Sequence, residues 1–302
     1  MRVAITGGTG LIGRALAAEL WGAGHDVVVT SRSPEKVDGL PAGVTARAWD
    51  AASAQGILPL VEEADAIVHL VGESLAAGRW SAARKTRIRA SRVDSTRALV
   101  AALALASSRP AVLLQASAVG IYGPRDDETV DEDSPLGAGF LANLCREWEE
   151  AGAEAEALGV RRVIARTGVV LASAGGALPR MALPFKLFAG GPLGSGRQWM
   201  SWIHLADLVA ASRWLLAEPE ARGAYNLTAP EPLTNRDLSS ALGRSLGRPS
   251  FAPVPGFVLR LAVGEMAEIL LTGQRVLPRR LLAAGYTFRF PTAAAALADL
   301  LA

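Results

Sequence analysis

Cysteine occurs once in this chain of 302 residues, histidine three times, and lysine only as Lys36, Lys85 and Lys186. A single thiol, Cys145, excludes an intramolecular disulfide and a cysteine-built metal cage. Its place in an amphipathic stretch reads as a buried structural thiol. His25, His69 and His204 are scattered without metal-ligand spacing, so no metal is expected. Aromatics make up 6% of the chain, the formal charge is +2, and no basic run is interleaved with aromatics, which argues against nucleic acid. No uninterrupted apolar run reaches about 18 residues, so no membrane partner is expected. The opening Met1-Arg2 and its apolar neighbours imitate a signal peptide, but Thr6, the glycines and Arg14 break the segment. What remains is a cytoplasmic globular chain, half apolar and long enough for one large or two ordinary domains.

What the chain does have is glycine in one telling place. Val3-Ala4-Ile5 reads as a buried strand, and Thr6-Gly7-Gly8-Thr9-Gly10-Leu11-Ile12-Gly13 follows it directly. Gly7 permits a tight turn, Gly10 lets a backbone approach a pyrophosphate, and Gly13 lets the next helix pack closely. The N–H groups from Thr9 through Leu11 and Ile12 then face an anion at a helix N-terminus. Leu16 and Leu20 continue the apolar face that Ile12 begins. The alternative is a glycine-rich turn with no ligand; a strand before, a helix after and a second strand on schedule favour dinucleotide binding.

That second strand, His25 to Thr30, ends in Ser31-Arg32, where an acidic residue would select a ribose 2′-hydroxyl. A hydroxyl and a guanidinium suit a 2′-phosphate instead, so NADP is the expected cofactor; a surface arginine at a strand end is the bland alternative. Asp50, after the strand Val44–Trp49, is either an acceptor for an adenine amino group or a solvated loop carboxylate. The run Ala66 to Val71 reads as a buried parallel strand, with His69 a satisfied core residue. Leu70, Val71 and Gly72 are expected to pass beneath the cofactor, with Glu73 beside them. Strand–helix alternation continues through Ala111–Leu114, a helix from about Phe140 to Leu158, and Arg162–Ala165. This is the pattern of an α/β, Rossmann-type doubly wound parallel sheet. After Leu171 the pattern changes to glycine-punctuated loops, a capping box at Thr234–Asp237, and proline-bounded helices near 255–271 and 278–284. A hairpin-like strand Tyr286–Phe290 and a last helix after Pro291 complete the reading. Residues 1–171, with about 197–228, are expected to form the nucleotide-binding domain. About 172–196 and 229–302 form a smaller C-terminal α/β cap.

The glycine motif, Leu70-Val71-Gly72, Ser117 through Tyr122-Gly123, and Trp202 through Asp207 resemble the extended short-chain dehydrogenase/reductases of the NAD(P)-dependent epimerase/dehydratase superfamily. Gly72-Glu73, Arg79-Trp80, Arg166 through Leu171, the 190–197 glycine-rich run and a C-terminal module around Gly264-Glu265 resemble a small atypical branch of epimerase-family proteins. The resemblance implies NADP binding, with Gly168 and Val169 as further cofactor contacts, and a small-molecule substrate under the cap. A homodimer is left open.

The superfamily's catalytic tyrosine and lysine align with Phe140 and Leu144, and neither exchanges a proton. The serine position falls on Ala118, beside Ser117, and the central helix's asparagine aligns with Arg92. Ser117 and Tyr122 are therefore the candidate catalytic residues, with Glu73 as another proton donor; Tyr122 and Glu73 also have structural readings. Arg92 is assigned to a cofactor phosphate or an anionic substrate. Arg197 binds either a substrate anion or the acidic 126–133 loop. The expected function is an NADP-dependent oxidoreductase or epimerase-like enzyme acting on a small, anionic or sugar-like substrate. The alternative is a non-catalytic NADP-binding sensor or partner-binding protein linked to cell division or organisation.

Overall fold

A computed structural model describes all residues 1–302. Its centre is a seven-stranded, all-parallel sheet. The first five strands are β1 (Arg2–Thr6), β2 (Asp26–Ser31), β3 (Thr45–Ala48), β4 (Ala66–His69) and β5 (Val112–Ala118). Strands Arg161–Thr167 and Gly223–Leu227 complete it beyond β5. From the other edge the order runs β3, β2, β1, β4, β5, 161–167, 223–227. The chain starts in the middle, builds outward to β3, then crosses back to β4. The crevice at β1 and β4 is thus the topological switch point, where such sheets take ligands beyond the carboxyl ends of their strands.

Buried branched residues make these strands: Val3, Ile5, Val27 and Val29 face one layer, while Ala4, Val28 and Ile67 face the other. Helix α1 (Leu11–Gly22) and helix Leu205–Ala217 cover the first face, the former through Leu16, Ala17 and Leu20. Helices α2 (Ala54–Glu63) and α3 (Ala82–Leu105) cover the second, and α4 (Phe140–Ala151) packs on α3 and β5. Ser53 and Ser81 start α2 and α3 by accepting N–H bonds from Gly56 and Arg84. The expected helix to Leu158 instead stops at Ala151. Gly152 follows it, packed so closely on Gln115 that a Cβ would lie 2.0 Å from Oε1, and the chain resumes only as the short turn of helix Glu154–Ala157.

Past Gly168 the chain leaves the main sheet. Val169–Ala172 pairs in parallel with Trp202–His204, and both pack with helices Leu178–Lys186, Asn235–Leu246 and Ala293–Leu301 in a separate apolar cluster. The N-cap half of the expected capping box forms: Thr234 Oγ1 accepts from the Asp237 N–H at 3.2 Å, while the Asp237 carboxylate accepts from the Thr234 hydroxyl rather than from its N–H. The strand expected at Tyr286–Phe290 does not. The buried Asp207 carboxylate accepts the N–H groups of Arg289 and Phe290, at 2.8 and 2.9 Å, so these donors are spent on a side chain rather than on a ladder. The region 255–271 is likewise broken, into helices Gly256–Val263 and Ala267–Leu271 with a tight turn at Gly264–Met266 between them. No helix is long and apolar enough to cross a membrane.

His69, fully buried at the end of β4, ties three elements together. Its Nδ1 lies 2.6 Å from Thr6 Oγ1 on β1, and its Nε2 lies 3.1 Å from Thr96 Oγ1 on α3. Burial pulls its pKa from 6.5 down to about 3. The folded chain therefore keeps this ring neutral while the unfolded chain takes up a proton below about pH 6.5. Stability from this residue is intact above that pH and is lost as pH falls toward 3, at about 1.4 kcal/mol per pH unit. Urea unfolding at pH 7 and pH 4.5 should show wild type losing about 2–3 kcal/mol more than His69→Gln does; parallel losses would contradict the reading.

Candidate functional site

The turn after β1 is built on close approaches. Gly7 has φ +71°, and a Cβ there would lie 2.9 Å from the Leu70 carbonyl carbon and oxygen, which locks the turn against the end of β4. A Cβ on Gly13 would lie 2.6 Å from Gly8 Cα and 2.7 Å from Gly7 O, so the first turn of α1 rests directly on backbone. Gly8, which sequence reasoning did not single out, is equally constrained, 2.5 Å from Val29 Cβ. Gly10 differs: it is exposed, and the nearest atom to its hypothetical Cβ is Gly7 O at 3.5 Å. The protein itself has room for a side chain at Gly10, so packing within the fold does not call for a glycine there. No side chain caps α1, so its first N–H groups point outward unspent. Arg14 Nε braces the turn through Thr9 O at 2.9 Å.

One strand over, Ser31 Oγ accepts from the Ser33 N–H, and the Arg32 side chain is exposed and enters no ion pair or hydrogen bond. An open glycine cradle, uncapped helix N–H groups and a free guanidinium at the end of β2 together fit a dinucleotide diphosphate with a second phosphate on its ribose. Asp50 Oδ1 accepts the N–H groups of Ala52 and Ser53, both at 2.9 Å, and those bonds hold its carboxyl below the usual range. The aspartate therefore closes the turn into α2, and its Oδ2 has no protein partner.

From this turn a cavity of about 450 Å³ runs along the carboxyl edge of the sheet. Ile12, Leu70, Gly72, Arg92, Gly168 and Val169, all named from the sequence, line it. Leu141, Leu144 and Trp148 from α4 form one wall; Trp199, Met200 and residues 272–274 close it from the cap side. Gly273 and Gln274 belong to the C-terminal module that marks the family resemblance, but no sequence signal assigned any of these residues to the site. Cys145 also lines the cavity, and burial pushes its thiol up to about 12, as an inert structural cysteine requires.

Four expected roles need correction. Tyr122 does not reach the cavity. Its ring is 0% exposed, its hydroxyl donates to Asn226 Oδ1 at 2.8 Å and accepts from Arg166 Nη1 at 3.0 Å, and burial raises its pKa. Ser117 lines the cavity but gives its proton to Glu149 Oε1 at 2.6 Å. Both belong to a buried network centred on a bidentate ion pair, Arg166 Nε and Nη2 to the two oxygens of Glu149, each 2.9 Å. Glu73 faces α3, paired with Arg84 at 3.1 Å and Arg87 at 3.6 Å, and does not line the cavity, so it is not placed there as a proton donor. Arg197 is exposed, lines no part of the cavity and pairs with nothing; the acidic loop is held instead by Arg125, Arg279 and Arg280. Phe140 packs edge-on against Trp80, with ring centroids 5.1 Å apart, while Leu144 presents a methyl-bearing surface to the cavity.

The fold and its switch-point cavity define a Rossmann-type nucleotide-binding protein. Residues 3–228 match the NAD dependent epimerase/dehydratase family, and the chain belongs to that family; residues 254–300 match a domain of unknown function, DUF1731. An epimerase family protein of Mycobacterium bovis, Mb2239, is 44% identical over 297 residues, covering 98% of this chain and 96% of that protein. The Arabidopsis thaliana homolog of epimerase family protein SDR39U1, described as chloroplastic, is 40% identical over 96% of this chain and 84% of its own length. Human epimerase family protein SDR39U1, solved as a crystal structure with NADPH, superimposes with a TM-score of 0.88 at 35% identity, over 100% of this chain and 99% of that one.

Proposed function

We propose that this chain binds NADPH and works as an epimerase-family oxidoreductase on a small substrate held in the cavity, without the tyrosine–lysine pair usual in the superfamily. The observation that carries the reading is Arg32, free and exposed one strand from an open glycine cradle. The human relative solved with NADPH, alike over the whole chain, supports the same cofactor. Backbone N–H groups between Gly10 and Gly13 receive the diphosphate, and Ser31 and Arg32 receive the 2′-phosphate. Leu70, Gly72, Gly168 and Val169 form apolar and backbone surface beside the ring end. Bound NADPH supplies a hydride. Neither Ser117 nor Tyr122 holds a free proton at the cavity, since both hydroxyls are committed to buried partners.

Arg32→Ala should weaken NADPH binding by roughly 10- to 150-fold, the worth of about 1.5–3 kcal/mol for hydrogen bonds to a charged group. NADH binding should stay within about twofold, because NADH has no group for Arg32 to hold. Calorimetric titration of both nucleotides reads the ratio, and an unchanged ratio removes the assignment.

Phe140 and Leu144, which cannot exchange a proton, stand at the superfamily's tyrosine and lysine positions, and that favours one second reading, a non-catalytic NADPH-binding sensor. NADPH oxidation across a panel of aldehydes, ketones and enones decides between them. Turnover that survives Tyr122→Phe supports the enzyme, while tight NADPH binding with no turnover on any member supports the sensor.

A further inference from the structure

Arg92 is a cation without an anion. It lies on α3 and enters none of the chain's ion pairs; Glu73, a carboxylate whose charge acts on it, is already paired with Arg84 and Arg87. Nη1 donates to Ile88 O at 3.1 Å; Nε and Nη2 make no bond within the protein. The guanidinium is also fixed in orientation. Its Cζ sits 5.3 Å from the centre of the Trp148 ring, and on another side a Cβ on Gly72 would approach it to 3.0 Å. Elsewhere the lining is mainly apolar, with Leu75, Val119, Leu141 and Leu144 among it. The hydroxyls of Thr167, Ser201, Ser212 and Thr272 each donate to a backbone carbonyl, and the Gln274 amide is a polar side chain left without a protein partner. A sugar placed here would bury hydroxyls against hydrocarbon, and each unpaired hydroxyl opposes binding. The one serine on the strand below, Ser117, is spent on Glu149.

We propose that the second occupant of this cavity is a small, largely apolar molecule bearing one carboxylate, which Arg92 receives through Nε and Nη2. The inference rests on the proposed NADPH-linked function and names its substrate class. Nε–H and Nη2–H lie on one edge of the guanidinium and match the two oxygens of a carboxylate. A phosphate dianion would leave a third oxygen and a second charge against apolar walls, which desolvation penalises. Leucine at the superfamily's lysine position belongs to the same design, a wall that accepts hydrocarbon where a sugar-binding site keeps polar groups.

The test uses benzoate, cinnamate and naphthoate, their neutral amides, inorganic phosphate and UDP-glucose. Binding to the full chain, with and without NADPH, is followed by tryptophan fluorescence and calorimetry. At least one acid should bind about tenfold or more tighter than its amide, with neither phosphate nor UDP-glucose displacing it at equal concentration. Arg92→Met should remove that acid preference, leave amide binding unchanged and keep NADPH affinity within about twofold. Amides matching acids throughout the series, displacement by phosphate or UDP-glucose, or an Arg92→Met protein that still prefers the acid each overturn the proposal. So does an Arg92→Met protein that loses NADPH and acid equally, which would make Arg92 a cofactor ligand. Wild type that binds the acids but ignores NADPH sinks the cofactor reading alone, so the two failures are separable.

Discussion

Gly10→Val should lose NADPH binding by more than about 100-fold while its melting temperature stays within a few degrees of wild type. The two halves of this expectation have separate causes. Within the protein, a Cβ at Gly10 meets only Gly7 O at an ordinary 3.5 Å, so folding has little to object to. Outside it, the side chain occupies the space through which a diphosphate reaches the first N–H groups of α1. Gly13→Val behaves differently: its Cβ would fall 2.6–2.8 Å from the backbone of Gly7 and Gly8, so the turn must move. That variant should lose NADPH binding and also about 1–3 kcal/mol of stability, the usual cost of overpacking. Gly22, at the far end of the same helix with no atom within 4 Å of its Cβ, is the control; Gly22→Ala should leave NADPH binding unchanged and raise stability slightly, by about 0.4–1 kcal/mol. Full binding by Gly10→Val would show that the cradle holds no phosphate.

Glu149→Ala should lower the free energy of unfolding by about 3–5 kcal/mol, read as a shift in the urea midpoint. The carboxylate and the Arg166 guanidinium are 11% and 8% exposed, so removing one leaves the other buried and uncompensated. The loss spreads along the network, because Ser117 loses its acceptor and Arg166 no longer holds its place against the Tyr122 hydroxyl. Exchanging both partners for apolar residues, Glu149→Leu with Arg166→Met, should recover much of the loss, since no stranded charge remains. A single variant as stable as wild type would mean that the pair is solvated. Tyr122→Phe should cost only about 1 kcal/mol, the price of one hydrogen bond, and leave any NADPH turnover unchanged.

How much of this was legible beforehand depends on whether a residue's role is local. The glycine turn was, because φ and the packing of the first helical turn are set by neighbours in sequence; the close approaches of Gly7 to Leu70 and of Gly8 to Val29 needed the sheet to explain them. The parallel, doubly wound class of the sheet followed from strand–helix alternation for the same reason, while the order of its strands is read from the structure. Tyr122 and Ser117 misled because a hydroxyl near a strand end looks the same whether it faces a cavity or a buried carboxylate. Glu149 did leave a trace, an acid on the apolar stripe that Leu144, Cys145 and Trp148 form on α4. Its partner, Arg166, sits inside a motif read only as a family mark. Glu73 and Arg197 turn on long-range pairing, which no spacing encodes. The wall of Trp199, Met200 and residues 272–274 assembles from two segments some seventy positions apart, a strand and a stretch of the C-terminal module, and no spacing within either tells that they meet. Tyr286–Phe290 has strand-like alternation, yet Asp207, about eighty positions earlier, claims its N–H groups.

Calorimetric titration of the purified wild-type chain with NADPH, and separately with NADH, tests the central claim most directly. One NADPH per chain, bound at least about tenfold tighter than NADH, is the predicted result. A chain that gives no heat with NADPH, or binds the two nucleotides alike, would contradict it.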